Sequence, residues 1–271
     1  MPHCCAVVCY YPDSIPHPNA KYPASLNVTV HLTHSQGFAP SYPAYKYANV
    51  EPGFSEHDLD EYNRVSASLA WSRSLAAVRR GFKNDITDRL EHTNETFKTL
   101  SLRHRDAAAT VGMMVQDSPY VNHVPTLTGG VGKRALFHFY NDFFIPGNPP
   151  SLKTQLISRT VGVNRVIDEF VISFKHTQEM PWILPGVPAT NKVVTVALVS
   201  IITIRGGKLE HEHIYWDQAS VLSQIGAISA ENVPQELKSK GCKKLPIVGA
   251  ESAAKVLDVD KVPSNDLIPK W

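Results

Sequence analysis

The sequence predicts an α+β fold for the larger part of this chain, preceded by a short segment of α/β type. Between residues 85 and 146 the apolar side chains recur at helical spacing, whereas from residue 154 onward they alternate with a period of two. Helices followed by a run of antiparallel strands are typical of an α+β domain. We therefore divide the chain into 1–83, 85–230 and a C-terminal extension, 231–271.

Composition and charge narrow the functional classes. The chain has 271 residues, of which 43% are hydrophobic and 19% charged, as in ordinary globular proteins. A net charge of +2 without a long basic run gives no support to a nucleic-acid partner. No apolar stretch approaches the roughly 18 residues of a membrane helix, and "MPHCCAVVCYYP" lacks the basic start of a signal peptide. We expect neither nucleic acid nor membrane as a partner.

The four cysteines, Cys4, Cys5, Cys9 and Cys242, do not form the paired spacing of a zinc site. We interpret them as structural thiols in a reducing compartment, which predicts a cytoplasmic protein.

Residues 1–83 predict two strands followed by one helix. "CCAVVCYYP" is a short apolar run, and "SLNVTVHLT" alternates between apolar and polar residues. The helix ends near Gly81 and carries an apolar stripe formed by Val65, Leu69, Leu75 and Val78. Two strands and one helix are too few for a complete parallel sheet with helices on both faces.

Four motifs of this segment resemble, in order, the C-terminal half of the dienelactone hydrolases: "AVVCYYP", "HLTHSQGFAP", "YANVEPGF" and "YNRVSASLAWSRSLAAVRR". The resemblance implies a partial α/β-hydrolase fold and a Cys-His-Asp triad. This chain has Gln36 at the position of the acid and Pro52 at that of the histidine, and the family's nucleophile lies upstream of Cys5. Because a triad needs all three groups, we expect a degenerate remnant. A new dyad of Cys9 and His57, with retained hydrolase activity, is the alternative.

Residues 85–146 predict two helices separated by an extended segment, "YVNHVPTLTGG". Capping residues precede the first helix, Pro119 ends it, and the second ends at Pro146-Gly147. The apolar positions that define them are Leu90, Phe97, Leu100, Ala107, Val111 and Met114 in the first helix, and Leu136, Phe137, Tyr140, Phe143 and Phe144 in the second.

The next segment predicts four strands and a short helix. "TQLISRTVGVNRVIDEFVISFKHTQ" holds two strands joined near 162–164, and "NKVVTVALVSIITIRGGKLEHEHIYWD" holds two more, joined at Gly206-Gly207. Asp217 is the expected N-cap of the closing helix and Gly226 its stop. In the extension we expect a solvated basic surface at 238–244, a helix at 250–257, and Trp271 covering an apolar patch.

This order of elements, together with "YVNHVPTLTGG", "HFYNDFF", "RTVGVNRVIDEF", "FKHT", "PGVPATNK" and "GKLEHEHIYWDQ", resembles the SnoaL-like group of the NTF2-like superfamily. The resemblance covers about 140 residues and implies an NTF2-like cone, in which a curved sheet wraps over helices. It also implies chemistry without metal or organic cofactor, and a homodimer. The superfamily includes cyclases, isomerases, dehydratases, hydrolases and binding domains, so the fold does not fix the function.

Two strands carry candidate catalytic residues. In "RVIDEFVISFKHT", Asp168, Phe170, Ile172, Phe174 and His176 share one face, because successive side chains of a strand point to opposite sides. If that face lines a dry cavity, desolvation raises the pKa of the acid and lowers that of the histidine toward neutrality, as acid/base catalysis requires. The alternative is that Asp168 pairs with Arg159 or Arg165 and that His176 lies at the rim.

The last strand, "KLEHEHIYWD", places Glu210, Glu212, Ile214 and Trp216 on one face and His211, His213, Tyr215 and Asp217 on the other. Two histidines two residues apart can bind a metal, but a third ligand at a recognisable spacing is missing, so we predict no metal site. We favour the face of Glu212 as the inner one, since it is the more apolar.

We therefore expect a small-molecule pocket with Asp168, His176 and Glu212 as catalytic residues. The residues expected to bind substrate are His123, Tyr140, Phe170, Phe174, His213, Tyr215 and Trp216. Such a pocket suits proton abstraction next to a carbonyl, the first step of polyketide cyclisation, isomerisation or dehydration. A non-catalytic binding or dimerising protein is the alternative, and a cone filled by its own side chains, including Trp271, would favour it.

Overall fold

The computed structural model describes residues 4–15 and 17–271. The first three residues of "MPHCCAVVCYYP", the segment considered as a signal peptide, lie outside these ranges. The chain separates into two compact units, Met1–Thr87 and Asp88–Trp271. Within the described ranges, no helix is both long and apolar enough to cross a membrane.

Unit 1 is a three-stranded parallel sheet with one long helix. The strands lie in the order β1-β2-β3, and α1 packs against β1 and β2. The two predicted strands and the helix are present, but β3 was not predicted, because three residues carry too little pattern. A parallel sheet agrees with the α/β class expected here and is not by itself a sign of a hydrolase. The bounds are β1 Ala6–Tyr10, β2 Asn27–Leu32, β3 Ala44–Lys46 and α1 Arg64–Phe82.

The buried face of α1 differs from the predicted apolar stripe. Val65 is 70% exposed, whereas the helix buries Ala70, Ser74 and Ala77. Small side chains let the helix approach the sheet closely, and a Cβ at Gly81 would lie only 2.5 Å from the carbonyl oxygen of Cys5. Gly81 therefore serves close packing rather than ending the helix, which stops one residue later.

Unit 2 has the predicted α+β organisation, although the extended segment between its two predicted helices forms a hairpin of two further strands. Its six-stranded sheet has the order β5-β4-β9-β8-β7-β6, in which only the β4–β9 pair is parallel. The helices are α2 Thr87–Lys98, α3 Ala107–Gly112, α4 Lys133–His138, α5 Ile145–Gly147, α6 Gln218–Gln224, α7 Gln235–Lys238 and α8 Glu251–Leu257. The strands are β4 Tyr120–His123, β5 Thr128–Val131, β6 Lys153–Val161, β7 Arg165–Lys175, β8 Val193–Arg205 and β9 Lys208–Trp216.

Each of the two predicted helices of 85–146 contains a π-helical segment. The first π-helix, Thr99–His104, follows α2, and the second, Phe139–Phe144, follows α4. The first ends at Arg105, whose left-handed backbone (φ 56°) separates it from α3, and Asp106 then caps α3. Apolar spacing cannot reveal a π-helix, since one widened turn barely changes the pattern.

The strand alternation defines an inner and an outer face of the sheet. Along β8, every second residue from Val194 to Ile202 is buried, which agrees with a strand facing a core on one side. In β9 the register shifts between Leu209 and His211, so Glu210 does not share the face of Glu212 as predicted. Glu210 instead pairs with Arg205 (3.0 Å).

The C-terminal elements match their predictions in part. Asp217 caps α6 by accepting from the Ala219 N–H (2.9 Å), and Gly226 follows the helix with a positive φ of 82°. The predicted helix in the extension is α8. Trp271, however, is 83% exposed and covers no apolar patch.

Candidate active site

Unit 2 contains a cavity of about 400 Å³ between its helices and the inner face of the sheet. This volume lies in the range of small-molecule sites, as does the mixture of aromatic walls and few polar groups. The lining residues are Glu95, Phe97, Lys98, Thr99, Ser101, Leu102, Arg103, His123, Tyr140, Phe144, Leu152, Thr154, Leu156, Arg159, Phe170, Ile172, Trp182, Leu198, Glu212 and Ile214.

Both π-helices contribute to the wall of the cavity. The first supplies Thr99, Ser101, Leu102 and Arg103, and the second supplies Tyr140 and Phe144. π-Helical turns are rare in proteins and occur frequently at functional sites. Their position here is one indication that the cavity has a function, which the hydrophobic pattern did not reveal.

Glu212 lies deep in this cavity on β9. The side chain is only 4% exposed, and its Oε1 accepts a hydrogen bond from the Ser200 hydroxyl (2.9 Å). Burial raises the pKa of the carboxyl above its usual value, although the Lys98 ammonium and the Ser200 hydrogen bond oppose this effect. A carboxyl with a raised pKa in a dry pocket is suited to accept and return a proton near neutral pH.

Tyr140 lines the same cavity from the second π-helix and is 2% exposed. Burial, and secondarily the Glu212 charge, raises the pKa of its phenol well above 10. The hydroxyl therefore keeps its proton. In the part of the chain that the structure describes, we find no hydrogen-bond partner for this hydroxyl, so it can donate to a ligand.

His123 is a buried polar group of the cavity wall. Its Nδ1 lies 3.0 Å from the Thr128 hydroxyl, and burial lowers the pKa of the imidazole to about 3. Aromatic rings surround it, with centroids 5.3 Å away for Trp182 and 6.1 Å for Trp216. The imidazole is thus neutral at physiological pH and can form hydrogen bonds but is a poor base.

Asp168 departs from the expected environment. Arg159 binds both of its carboxylate oxygens (2.6 and 2.8 Å), while Lys98 and Asn94 donate to Oδ2, the latter at 3.0 Å. Burial acts to raise the pKa of Asp168, but these partners outweigh it and lower the pKa to about 2. The predicted rise in pKa is therefore wrong, and the alternative pairing with Arg159 describes the structure.

His176 lies outside the cavity lining. Its Nδ1 accepts the Thr190 N–H (3.3 Å), and its backbone pairs with Lys192 and Asn191 (2.8 and 2.9 Å). Burial lowers the pKa of His176. These hydrogen bonds place His176 at the base of the 176–192 loop. Strand β7 ends at Lys175, so the predicted face reaches His176 only beyond the cavity.

The other predicted binding residues divide between the two faces. Phe170 lines the cavity, whereas Phe174 and Trp216 are buried on the inner side without lining it. His213 and Tyr215 belong to the outer face, where their rings lie 6.3 Å apart.

Sequence reasoning missed several residues of the cavity. Lys98 is separated from Asp168 by 70 positions in the sequence, and no local pattern connects them. Trp182 comes from an irregular loop, where its indole donates to Asn148 (2.8 Å). Ser200 does not line the cavity but holds Glu212, and a serine in a largely apolar strand was a signal for a buried hydrogen bond.

Unit 1 contains a buried Ser–His contact, but its hydrogen bonds do not suit hydrolysis. Ser74 donates to the Ala70 carbonyl (2.8 Å), so it accepts from both Tyr10 (2.8 Å) and the Nε2 of His31 (2.9 Å). The Nδ1 of His31 then accepts from Tyr47 (2.9 Å). His31 is therefore a donor to the serine and not its base, and burial lowers the pKa of the imidazole to about 4.

Gln36, at the position of the triad acid, has a structural role, and the alternative dyad of Cys9 and His57 is not formed among the described residues. The side chain of Gln36 accepts from the Thr33 N–H (2.9 Å) and donates to the Pro12 carbonyl (2.8 Å). His57 is exposed and stacks on Tyr62 (4.7 Å), and among the residues that the structure covers it forms no hydrogen bond with Cys9. The same residues contain no group of three or more His, Cys, Asp or Glu that could hold a metal ion.

Comparisons with known proteins give likenesses in fold. No family model matches the sequence, and no curated protein is significantly similar to it. Among solved structures, a candidate polyketide cyclase from Xanthomonas campestris is 16% identical and covers 52% of this chain and 100% of its own, with a TM-score of 0.41. A candidate SnoaL-like polyketide cyclase from Jannaschia is also 16% identical, with 54% and 96% coverage and a TM-score of 0.41.

An NTF2-like protein of unknown function from Mesorhizobium loti is 14% identical, covers 49% of this chain and 95% of its own, and has a TM-score of 0.37. These structures match about half of the chain. At such TM-scores and identities, they do not decide the activity of this chain.

Proposed function

We propose that unit 2 is an acid/base enzyme that removes a proton from a carbon next to a carbonyl group of a small, largely apolar substrate. This chemistry corresponds to a polyketide cyclase, isomerase or dehydratase. The observation that carries the proposal is that Glu212, a buried carboxyl with a raised pKa, and Tyr140, a buried protonated phenol, line one apolar cavity.

The two side chains divide the reaction between them. The ionised Glu212 takes the proton from the carbon, and the electron pair of the broken C–H bond moves onto the carbonyl oxygen to form an enolate. Tyr140 donates a hydrogen bond to this oxygen and stabilises the developing charge. The protonated Glu212 can then return the proton to another carbon, to the alkoxide that forms when the enolate attacks a second carbonyl, or to a β-hydroxyl group that the enolate expels as water.

The remaining groups support this step without transferring the proton. Ser200 orients the Glu212 carboxylate through its hydrogen bond to Oε1. Phe97, Phe144 and Trp182 line the cavity with aromatic surface, which keeps the local dielectric low and strengthens both interactions. The neutral His123 is available as a hydrogen-bonding group for a substrate oxygen.

Enolisation can be measured before the product is known. Purified protein is incubated in D₂O with two- and three-ring aromatic ketones, beginning with 2-tetralone, and the loss of α-proton signals is followed by NMR. We expect Glu212→Gln to slow exchange by about 10²–10⁴-fold and Tyr140→Phe by about 10²–10³-fold, the usual contributions of a general base and an oxyanion donor. Glu210→Gln and Tyr22→Phe are the matched controls outside the cavity.

The pH profile gives a second readout of the same base. Because burial raises the pKa of Glu212, the ascending limb of the exchange rate should lie above the ordinary carboxyl value of 4.5. This limb should vanish in Glu212→Gln. Exchange that is unchanged in Glu212→Gln would exclude this residue as the base.

A ligand-binding protein without turnover is the second candidate. The cavity is not filled by Trp271 or by other side chains of the extension, which argues against the filled cone expected of a non-catalytic protein. An open cavity does, however, also suit a protein that only holds a ligand. Ketones that bind the cavity without any protein-dependent exchange of their α-protons would favour this function over the enzyme.

A further inference from the structure

Three cationic side chains line the cavity, and two of them form ion pairs with carboxylates. Lys98 pairs with Asp168, and Arg159 pairs with Asp168 (2.6 Å) and Glu91 (2.9 Å) and also contacts Glu95. Arg103 has no carboxylate within ion-pairing distance in the described part of the chain.

Arg103 lies at the open end of the cavity. It is exposed to solvent, and so is Leu156 on the edge strand β6, which is 49% exposed although it also lines the cavity. Glu212 and Tyr140, by contrast, are almost fully buried. The exposed part of the lining also includes Glu95, whose carboxylate is bound to Arg159, so Arg103 is the cation there without an ion-pair partner among the described residues. The proton-transfer groups lie at the buried end of the cavity.

The segment that carries Arg103 is fixed in place. It belongs to the first π-helix, and two residues later the guanidinium of Arg105 donates to the backbone carbonyls of Ile145 and Asn148, the second at 3.3 Å. These bonds hold the end of the π-helix against the turn that follows the second π-helix. Arg103 is thus attached to a backbone that is tied at its end, which reduces the ordering cost of binding a ligand.

We propose that Arg103 binds an anionic group, and that the substrate is a carbonyl compound with a carboxylate at the end remote from its reacting carbon. The apolar middle of such a molecule would contact the aromatic walls, and its carbonyl would reach Tyr140. A guanidinium offers two parallel donors to a carboxylate, a geometry that a lysine lacks. That the bound molecule is a substrate rests on the proposed function. Binding of an anion by Arg103 does not, because it can be measured without turnover.

A pair of fluorescent probes separates charge from apolar contact. 1-Anilinonaphthalene-8-sulfonate carries an anionic group, which stands in for the carboxylate, and N-phenyl-1-naphthylamine is the same ring system without it. Both are titrated against the full chain, Arg103→Gln, Arg103→Lys and Arg134→Gln. Arg134 is exposed and outside the cavity lining, so Arg134→Gln removes the same charge as a matched control.

We expect Arg103→Gln to weaken binding of the anionic probe by about five- to tenfold, the effect of one partly exposed charged hydrogen bond. The neutral probe should bind all variants equally, Arg134→Gln should resemble the wild type, and Arg103→Lys should retain part of the preference. The difference between probes should shrink at high salt.

An anionic probe that binds Arg103→Gln as tightly as the wild type would overturn the proposal, as would an equal loss for both probes. The outcome is independent of the exchange assay. Glu212→Gln should keep its preference for the anionic probe, so a failure of the catalytic proposal leaves this test intact, and the reverse also holds.

Discussion

Replacing Asp168 by Asn removes one negative charge from the interior of unit 2 and barely changes the shape of the side chain. The carboxylate is shared by Arg159 and Lys98, and it also accepts from Asn94. If these contacts are structural, the substitution should mainly lower the free energy of unfolding and have less effect on the exchange rate per folded molecule. If Asp168 instead transfers protons, it should mainly lower the exchange rate per folded molecule and have less effect on the free energy of unfolding.

The size of the effect follows from the charges. The pKa of Asp168 is about 2 against an ordinary 3.8, and one pKa unit corresponds to about 1.4 kcal/mol, so the ionised form gains about 2.5 kcal/mol in the folded state. Because the pKa is depressed, this stabilisation is present above pH 3.8 and is lost as the pH falls toward 2. Removing one partner of a buried pair costs about 3–5 kcal/mol. Since Arg159 keeps Glu91 and Glu95, we expect about 3 kcal/mol.

Urea unfolding at pH 7 measures this loss. Glu169→Gln is the matched control, because Glu169 is the neighbouring residue on the outer face and, among the residues that the structure describes, accepts only a hydroxyl hydrogen bond from Ser158 (3.0 Å). We expect a change within about 0.5 kcal/mol. Exchange rates are then compared per folded molecule. An Asp168→Asn protein with the stability of the wild type and no exchange activity would refute the structural role.

Two further predictions concern stability. His31 and His123 have folded-state pKa values of about 4 and about 3, below the ordinary 6.5, so the unfolded chain takes up protons first as the pH falls below 6.5. By pH 4.5 each should cost its unit about 2–3 kcal/mol, and urea midpoints that stay constant from pH 7 to 4.5 would contradict this. In the β4–β5 hairpin, Gly129 has a φ of 125°, and a Cβ there would lie 2.1 Å from the Val121 carbonyl oxygen. Gly129→Ala should therefore destabilise unit 2 by about 1–3 kcal/mol and lower its thermal unfolding midpoint. Gly112 has open space around it, so Gly112→Ala should leave the midpoint unchanged.

Strands β7, β8 and β9 of unit 2 could be predicted because each buries one face, and alternation reports burial directly. The same argument indicated that Glu212 faces inward, on the evidence of Ile214 and Trp216 in its own strand. It failed for Glu210, because a shift of register in β9 inverts the alternation within one residue. A bulge is set by strand pairing, and the sequence of a single strand does not contain that information.

Helix faces were harder to predict when packing depended on small residues. In α1, Val65 and Leu69 of the predicted stripe are exposed and Leu75 and Val78 are only half-buried. The fully buried positions are instead small residues such as Ala70 and Ala77. The residues around Asp168 in its own strand also did not predict which charged groups would contact it. Desolvation depends on burial, which alternation predicts, but the sign of the pKa shift depends on Lys98, which reaches the acid from a distant helix.

Asp168 and Glu212 show how one interior assigns opposite properties to two buried carboxyls. Lys98 affects both, but its ammonium is bound to Asp168, and the negative charge of Asp168 in turn raises the pKa of Glu212. Asp168→Asn should therefore act twice on the proposed base, by removing a nearby negative charge and by leaving the positive charge of Lys98 uncompensated. Both changes favour the ionised form of Glu212, so the ascending limb of the exchange profile should move to lower pH in the fraction that remains folded. A limb that does not move would mean that Glu212 does not control the reaction, whatever the stability of the variant.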